Sequence, residues 1–125
     1  MPKKILLSGA FFCLMSVLIG AFGAHALEQI LETNGRGGTF EIGVRYQMFH
    51  ALGLLILGTL SIKKPNKLIA YSAILFVSGI FVFSGSLYIL SIYNLSFLGA
   101  ITPIGGLCFI LGWITLIIHL YKTVY

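Results

Sequence analysis

The sequence contains no aspartate and three glutamates, and charged residues of both signs make up 9% of its 125 residues. A soluble domain carries about 25%, so a water-covered surface around a fold of this size is excluded. The three glutamates, Glu28, Glu32 and Glu41, fall in one short polar stretch, which excludes catalysis by paired carboxylates buried in a membrane. No serine stands in a nucleophile elbow, and no other enzyme constellation is visible. The two cysteines, Cys13 and Cys108, lie in apolar runs. They lack both a C-x-x-C partner and metal-ligand spacing, and read as small packing residues. The net charge of +5 is no nucleic-acid signature, because the basic residues sit in short connecting segments rather than on one face with interleaved aromatics.

What the sequence has in excess is apolar character: 58% hydrophobic residues and a mean hydropathy of +1.04. Four apolar runs cover 5–27, 44–62, 68–92 and 97–121, each long enough to cross ~30 Å of hydrocarbon as a helix. Without water in the membrane core the runs must satisfy their own backbone, so they are expected to be helical. The expected fold is therefore all-α: a polytopic membrane protein, a four-transmembrane-helix bundle forming a single membrane domain over 1–125. Breaks at 28–41 and 63–67 are clear. The break at 93–96 is weak and relies on Asn94 and Ser96 for turn chemistry. Pro65 and Asn66 suit a tight turn.

Lysine placement sets the orientation. Lys3, Lys4, Lys63, Lys64, Lys67 and Lys122 fall on one side of a four-span chain, against Arg36 and Arg45 on the other. The positive-inside rule then puts both ends in the cytoplasm, N-in/C-in. Ala24-His25-Ala26 has the form of a signal-peptide cleavage site. The run before it, however, is longer than the 7–15 residues usual for such a segment, so the first run is expected to remain as a span. Tyr46, Tyr93 and Tyr121 fall near the expected interfaces, whereas Trp113 falls deeper. The glycine-rich stretch 33–38 is expected to be a flexible turn, followed by Thr39 as helix N-cap with Glu41 in the first turn.

Small residues recur at helical intervals: Ser16, Gly20 and Ala24 in the first run, Ser72, Gly79 and Ser86 in the third, and Gly105, Cys108 and Gly112 in the fourth. Such stripes let helices approach closely. They serve either the inside of the bundle or a homodimer.

Polar groups inside the runs form one candidate cluster: His25, Arg45, Gln47, His50, Ser84, Ser86 and Thr102. Ionisable groups are costly in hydrocarbon and face the bundle interior. Counted from the run boundaries, His25 and His50 come within one turn of each other in depth. Three readings follow: an interhelical hydrogen-bond clasp, a binding or proton-handling site open to the outside, or ligation of a haem or metal by the two histidines. Arg45 is expected to pair with Glu41 or Glu28, so that Arg45→Ala harms folding more than Arg36→Ala. His119 is expected to snorkel to the inner interface.

Four stretches carry a family resemblance: Gly20-Ala-Phe-Gly-Ala-His-Ala-Leu27, the run from Arg45 to Leu55 (RYQMFHALGLL), Phe83-Ser-Gly-Ser-Leu-Tyr88, and the run from Leu98 to Gly106 (LGAITPIGG). There is one in each run, and together they resemble the signature stretches of the domain-of-unknown-function family number 423, the YwdK/YgdD-like group of small bacterial membrane proteins. The resemblance implies a four-span protein of the bacterial cytoplasmic (inner) membrane, in contact with the lipid bilayer. It implies no activity. The signature stretches contain every residue of the polar cluster. The function expected is that of a binding or accessory protein, not an enzyme, whose outer-leaflet cluster meets a partner, lipid or small solute. A small oligomeric transporter or proton-coupled channel is the alternative, and a haem-binding redox subunit a weaker one. No resident cofactor or metal is expected. The partners are the bilayer and either a second copy or another membrane protein, not nucleic acid.

Overall fold

Apolar runs that must satisfy their own backbone become helices. The structure, a computed structural model describing residues 1–124, contains no strand among the described residues. Helix α1 is Pro2–Ala24, with Pro2 in the first turn where its missing N–H costs nothing. Beyond it the Leu27 N–H bonds back to the Phe22 carbonyl at 2.9 Å.

The polar stretch 28–41 departs from expectation. Most of it is helix: α2 runs Glu28–Asn34, and α3 already begins at Gly37 and continues to Lys63. Gly35 closes α2 in the left-handed region at φ 65, and the Arg36 N–H returns to the Leu31 carbonyl at 3.0 Å. Gly37 and Gly38 lie inside α3, so the expected flexible turn shrinks to Gly35 and Arg36. Arg36 is the N-cap of α3, where Thr39 was expected.

Asn66 starts helix α4 (Lys67–Gly79), its side-chain Oδ1 accepting the Leu68 N–H at 2.7 Å. A π-helical turn, Ile80–Ser84, joins α4 to α5 (Gly85–Tyr93). The weak break is real: Asn94 takes the left-handed conformation at φ 54, and the Leu95 N–H bonds the Leu90 carbonyl at 3.2 Å. A 3-10 turn over Ser96–Ala100 then leads into α6, Thr102–Thr123.

Three helical stretches, Pro2–Ala24, Lys67–Tyr93 and Ser96–Thr123, are long and apolar enough to cross a membrane. Helix α3 has the length, 27 residues or about 40 Å, but Arg45, Gln47 and His50 dilute its apolar character. Its surroundings explain why it can carry Gln47 and His50, while Arg45 is exposed and pairs with Glu41. Ten of its residues are buried, from Phe40 at one end to Ser61 at the other. A helix screened from lipid by its neighbours need not be apolar all round.

The helices pack as two close pairs, α1 with α3 and α4 with α6. In the first, a Cβ on Gly9 would stand 3.0 Å from the Ala51 carbonyl oxygen, and one on Gly58 would stand 2.6 Å from Leu6. In the second, Gly112 lies under Phe76, Gly79 under Phe109, and Gly105 against the backbone of Phe83 in the π turn. Ser72 donates to the Gly112 carbonyl at 2.8 Å, and the Ser86 and Thr102 hydroxyls meet at 2.6 Å. Thus the Ser72–Gly79–Ser86 stripe faces α6, and the small residues of α1 face α3. Both stripes serve the inside of the bundle. Phe12, Leu54, Leu57, Phe76, Ile80 and Phe109 fill the core between the pairs. Phe11, Val17, Phe22, Ile74, Phe81 and Ile117 point outward and are exposed.

Candidate functional site

The centre of the molecule is a polar layer made largely by α3. Gln47 is 3% exposed; its amide donates to the Phe12 carbonyl of α1 at 3.0 Å, and its Oε1 accepts the Tyr88 hydroxyl of α5 at 2.6 Å. One turn on, His50 Nδ1 lies 2.7 Å from the Tyr46 carbonyl, and Trp113 Nε1 of α6 donates to His50 Nε2 at 2.9 Å. A carbonyl only accepts and an indole N–H only donates, so the proton of His50 sits on Nδ1 and the ring is neutral. Phe109 stacks on the imidazole with centroids 3.5 Å apart, and Phe76 meets it edge-on. Ser84 donates to the Gly43 carbonyl at 2.7 Å. Ser86 Oγ also lies 2.9 Å from the Phe83 carbonyl and Thr102 Oγ1 3.2 Å from the Leu98 carbonyl; with one proton each, one hydroxyl donates to the other and the second donates to its carbonyl.

These bonds tie α3 to α1, α5 and α6, and α5 to α6. The structure thus gathers Gln47, His50, Ser84, Ser86 and Thr102 as clasps between helices or onto their own helix. Trp113 and Tyr88 complete the layer and are absent from the residues picked by sequence. Trp113 had left a signal, since an indole placed deeper than the aromatic belt needs an acceptor. The i,i+3 spacing of Gln47 and His50, which puts both on one face of α3, was a second signal.

His25 is not part of the layer, which corrects the expected meeting of the two histidines. It is the exposed residue that follows α1. The contacts of Gly20 with Val44 and Gly23 with Phe40 put it level with the first turn of α3. That is roughly twelve residues from His50, or about 18 Å at 1.5 Å per residue. The depth count failed because Glu28 and Arg45 do not mark the same depth. Both ring nitrogens of His50 are in any case taken by protein partners. Among the described residues no three His, Cys, Asp or Glu side chains are grouped to hold a metal.

Arg45 also lies outside the layer. It pairs with Glu41 at 3.0 Å, and both side chains are largely in the open. Arg36 makes the longer-range contacts, from Nε to Asn94 Oδ1 at 3.3 Å and from its second guanidinium nitrogen to Ser96 Oγ at 3.2 Å. Asn34 beside it donates to the Ser91 and Ile92 carbonyls at 3.0 Å each, closing the end of α5. The contacts therefore give Arg36, not Arg45, the larger structural part.

At this same end a cleft of about 450 Å³ opens between α1, α2 and α3. Gly20, Gly23, Ala24, Phe40 and Val44 form its apolar floor, and Glu28, Glu32 and Glu41 line it as well. All the carboxylate side chains of the chain therefore face one opening. At the lysine-bearing end His119 is 5% exposed, and its Nδ1 has no hydrogen-bond partner, so it does not snorkel.

The model of a family described as "Protein of unknown function (DUF423)" matches residues 19–106, which include all seven residues of the sequence-predicted cluster. The UPF0382 membrane protein SH2409 of Staphylococcus haemolyticus is 47% identical over 98% of this chain and 98% of its own length. The UPF0382 membrane protein YwdK of Bacillus subtilis is 41% identical over 96% of this chain and 98% of its own. A UPF0382 membrane protein of Haemophilus influenzae is 41% identical over 95% of this chain and 91% of its own. No solved structure matches. With a family model covering most of its length and relatives matched nearly end to end, this chain belongs to the DUF423 family and is an integral membrane protein.

Proposed function

We propose that the chain is a non-enzymatic, four-span protein of the bacterial cytoplasmic membrane, with both ends inside, whose outer cleft binds a small organic cation bearing an apolar body. The observation that carries this reading is the coincidence of the acidic side chains with the cleft between α1, α2 and α3. Glu41 is already paired with Arg45, so the negative charge on offer comes from Glu28 and Glu32, one turn apart on α2. The glycines and Phe40 below them supply an apolar bed. A few polar groups over an apolar floor are the usual make-up of a small-molecule site.

Four spans are supported by counting α3 with the three more apolar stretches, since Gln47 and His50 face protein and the exposed Glu41 and Arg45 lie in its outermost turns. Six lysines at one end of the bundle and the glutamates at the other favour the N-in/C-in orientation. The interior speaks against transport by a single chain: Gln47, His50, Ser84 and Tyr88 are bonded to side chains or backbone, and the buried hydroxyls left unpaired among the described residues, Ser61 and Ser91, lie near opposite ends of the bundle and do not line a path. Haem ligation by two histidines would need His25 and His50 to close about 18 Å of depth. The small-residue stripes are occupied within the chain, so a second copy would have to use the lipid-facing surface.

The test is equilibrium binding of tetraphenylphosphonium, a lipophilic cation, to the purified protein in neutral detergent. The E28Q/E32Q variant should bind at least about tenfold more weakly, the loss of one to two charge contacts. Equal affinity of the two proteins overturns the cleft. Reporter fusions after residue 125 and within 64–66 test the orientation separately, and an external reporter at either place contradicts it.

A further inference from the structure

The geometry points to a phosphate-binding site at the lysine-bearing end of the bundle, formed by Lys63, Lys64 and His119 between the last turns of α3 and α6. A cleft of about 260 Å³ lies there, lined by Thr59, Leu60, Lys63, Lys64, His119 and Thr123. It is at the opposite end of the molecule from the outer cleft, and neither site depends on the other.

Three observations converge. The first is the state of His119. Its side chain forms part of the wall, is 5% exposed, and leaves Nδ1 buried with no hydrogen-bond partner. Nδ1 itself is sealed off, and the ring nitrogen that a ligand in the cleft can meet is Nε2, which also has no protein partner among the described residues. His50 shows that this chain can satisfy both nitrogens of a buried imidazole.

The second observation is charge. Lys63 and Lys64 sit side by side where α3 ends, and among the described residues neither is in an ion pair. The glutamates that could neutralise them are at the far end. The other lysines of this end, Lys3, Lys4, Lys67 and Lys122, add to the positive field. The converging C-termini of α3 and α6 oppose it, with roughly half a negative charge each. Two ammonium groups outweigh that.

The third is place. Basic pockets between helices at the interface suit phosphate groups, because a compact anion with several acceptor oxygens can take donors from more than one helix at once. The phosphate can belong to an anionic lipid headgroup or to a small soluble phosphate. Both present the same chemistry to the lysines.

The test uses the full-length protein carrying ring-labelled histidine, which gives three sets of ring signals, from His25, His50 and His119. In phosphatidylcholine nanodiscs, inorganic phosphate is titrated at constant ionic strength against chloride. In a parallel series, nanodiscs of phosphatidylcholine alone are compared with nanodiscs containing phosphatidylglycerol. The expected result is a movement of the His119 signal with one or both phosphates and not with chloride, while His50 stays in place. In K63Q/K64Q the apparent affinity should fall about tenfold or more. Should that variant lose the His50 signal and so its fold, K64Q alone replaces it, because Lys64 lies beyond the helix. Movement with phosphatidylglycerol only identifies a lipid headgroup, and movement with phosphate only a soluble ligand. A His119 signal that neither phosphate moves, that chloride moves equally, or that moves alike in the folded lysine variant overturns the site.

Discussion

His50 and His119 are both buried imidazoles in the same bundle, and their surroundings could hardly differ more. Around His50 both ring nitrogens are bonded, to the Tyr46 carbonyl and the Trp113 indole, and one turn away Gln47 bonds Phe12 and Tyr88 in the middle of the molecule. Around His119 a ring nitrogen is left over beside two unpaired lysines and an opening. A protein that can satisfy one histidine completely and leaves another unsatisfied is using them differently. The central layer holds helices together, and the end layer is left open to something else.

That contrast is best attacked through stability. His50→Ala should cost the most, about 3 kcal/mol, because it strands the Trp113 N–H and leaves a void between Phe76 and Phe109. His119→Leu should cost nothing measurable or stabilise, since it removes an unpaired polar group of similar volume. Thermal unfolding of both variants in the same detergent compares them directly, and equal losses would erase the distinction. Gln47→Leu should follow at about 2 kcal/mol, since it strands the part-buried Tyr88 hydroxyl and removes the bond to the Phe12 carbonyl, which keeps only the Ser16 hydroxyl as side-chain donor. Adding Tyr88→Phe should then recover part of that loss, and strictly additive losses would mean the two side chains are not coupled. Trp113→Phe keeps the ring but removes the donor, and should cost about 1 kcal/mol with a loosened His50. Smaller again, Arg36→Ala should cost about 0.5 kcal/mol through its contacts with Asn94 and Ser96, and Arg45→Ala less, because its pair with Glu41 is open to water. The reverse order would restore the expectation drawn from sequence.

Much of the architecture was legible in the sequence, because the apolar runs and their breaks follow from what hydrocarbon tolerates. Asn94 and Asn66 behave as their turn chemistry requires. The Ser72–Gly79–Ser86 spacing marked a face, but not which helix it met. The stretch 28–41 was misjudged because polarity was taken for irregularity. Glu28, Gln29, Glu32 and Thr33 are exposed residues of a short helix, and only Gly35 needs a glycine's freedom. The two histidines are separated for another reason: Glu28 and Arg45 do not mark the same depth, since His25 lies level with the first turn of α3, well outside Arg45. Gln47 and His50 were found from the cost of burying them. Their partners Trp113 and Tyr88 lie on other helices, and pairings across helices are set by packing that one chain's periodicity does not encode. His119 was taken for a snorkelling residue from its distance along α6. Its burial depends on α3 lying alongside, which the sequence leaves unstated.

The π-helical turn at Ile80–Ser84 has a consequence for how this chain can vary. A wide turn of this kind accommodates one more residue than α winding would, so the two halves of the third long helix are out of phase. Ahead of it Ser72 and Gly79 address α6, and beyond it Ser84 and Tyr88 reach α3 while Ser86 reaches Thr102. Five residues of π winding turn the chain through about the same angle as four of α winding, so removing one residue from 80–84 would leave Tyr88 close to its present direction, whereas removing one from the α winding of α4 would swing everything past it by about 100°. In this segment the number of residues is therefore the freer quantity, while the buried Ile80 and Ser84 constrain side-chain identity.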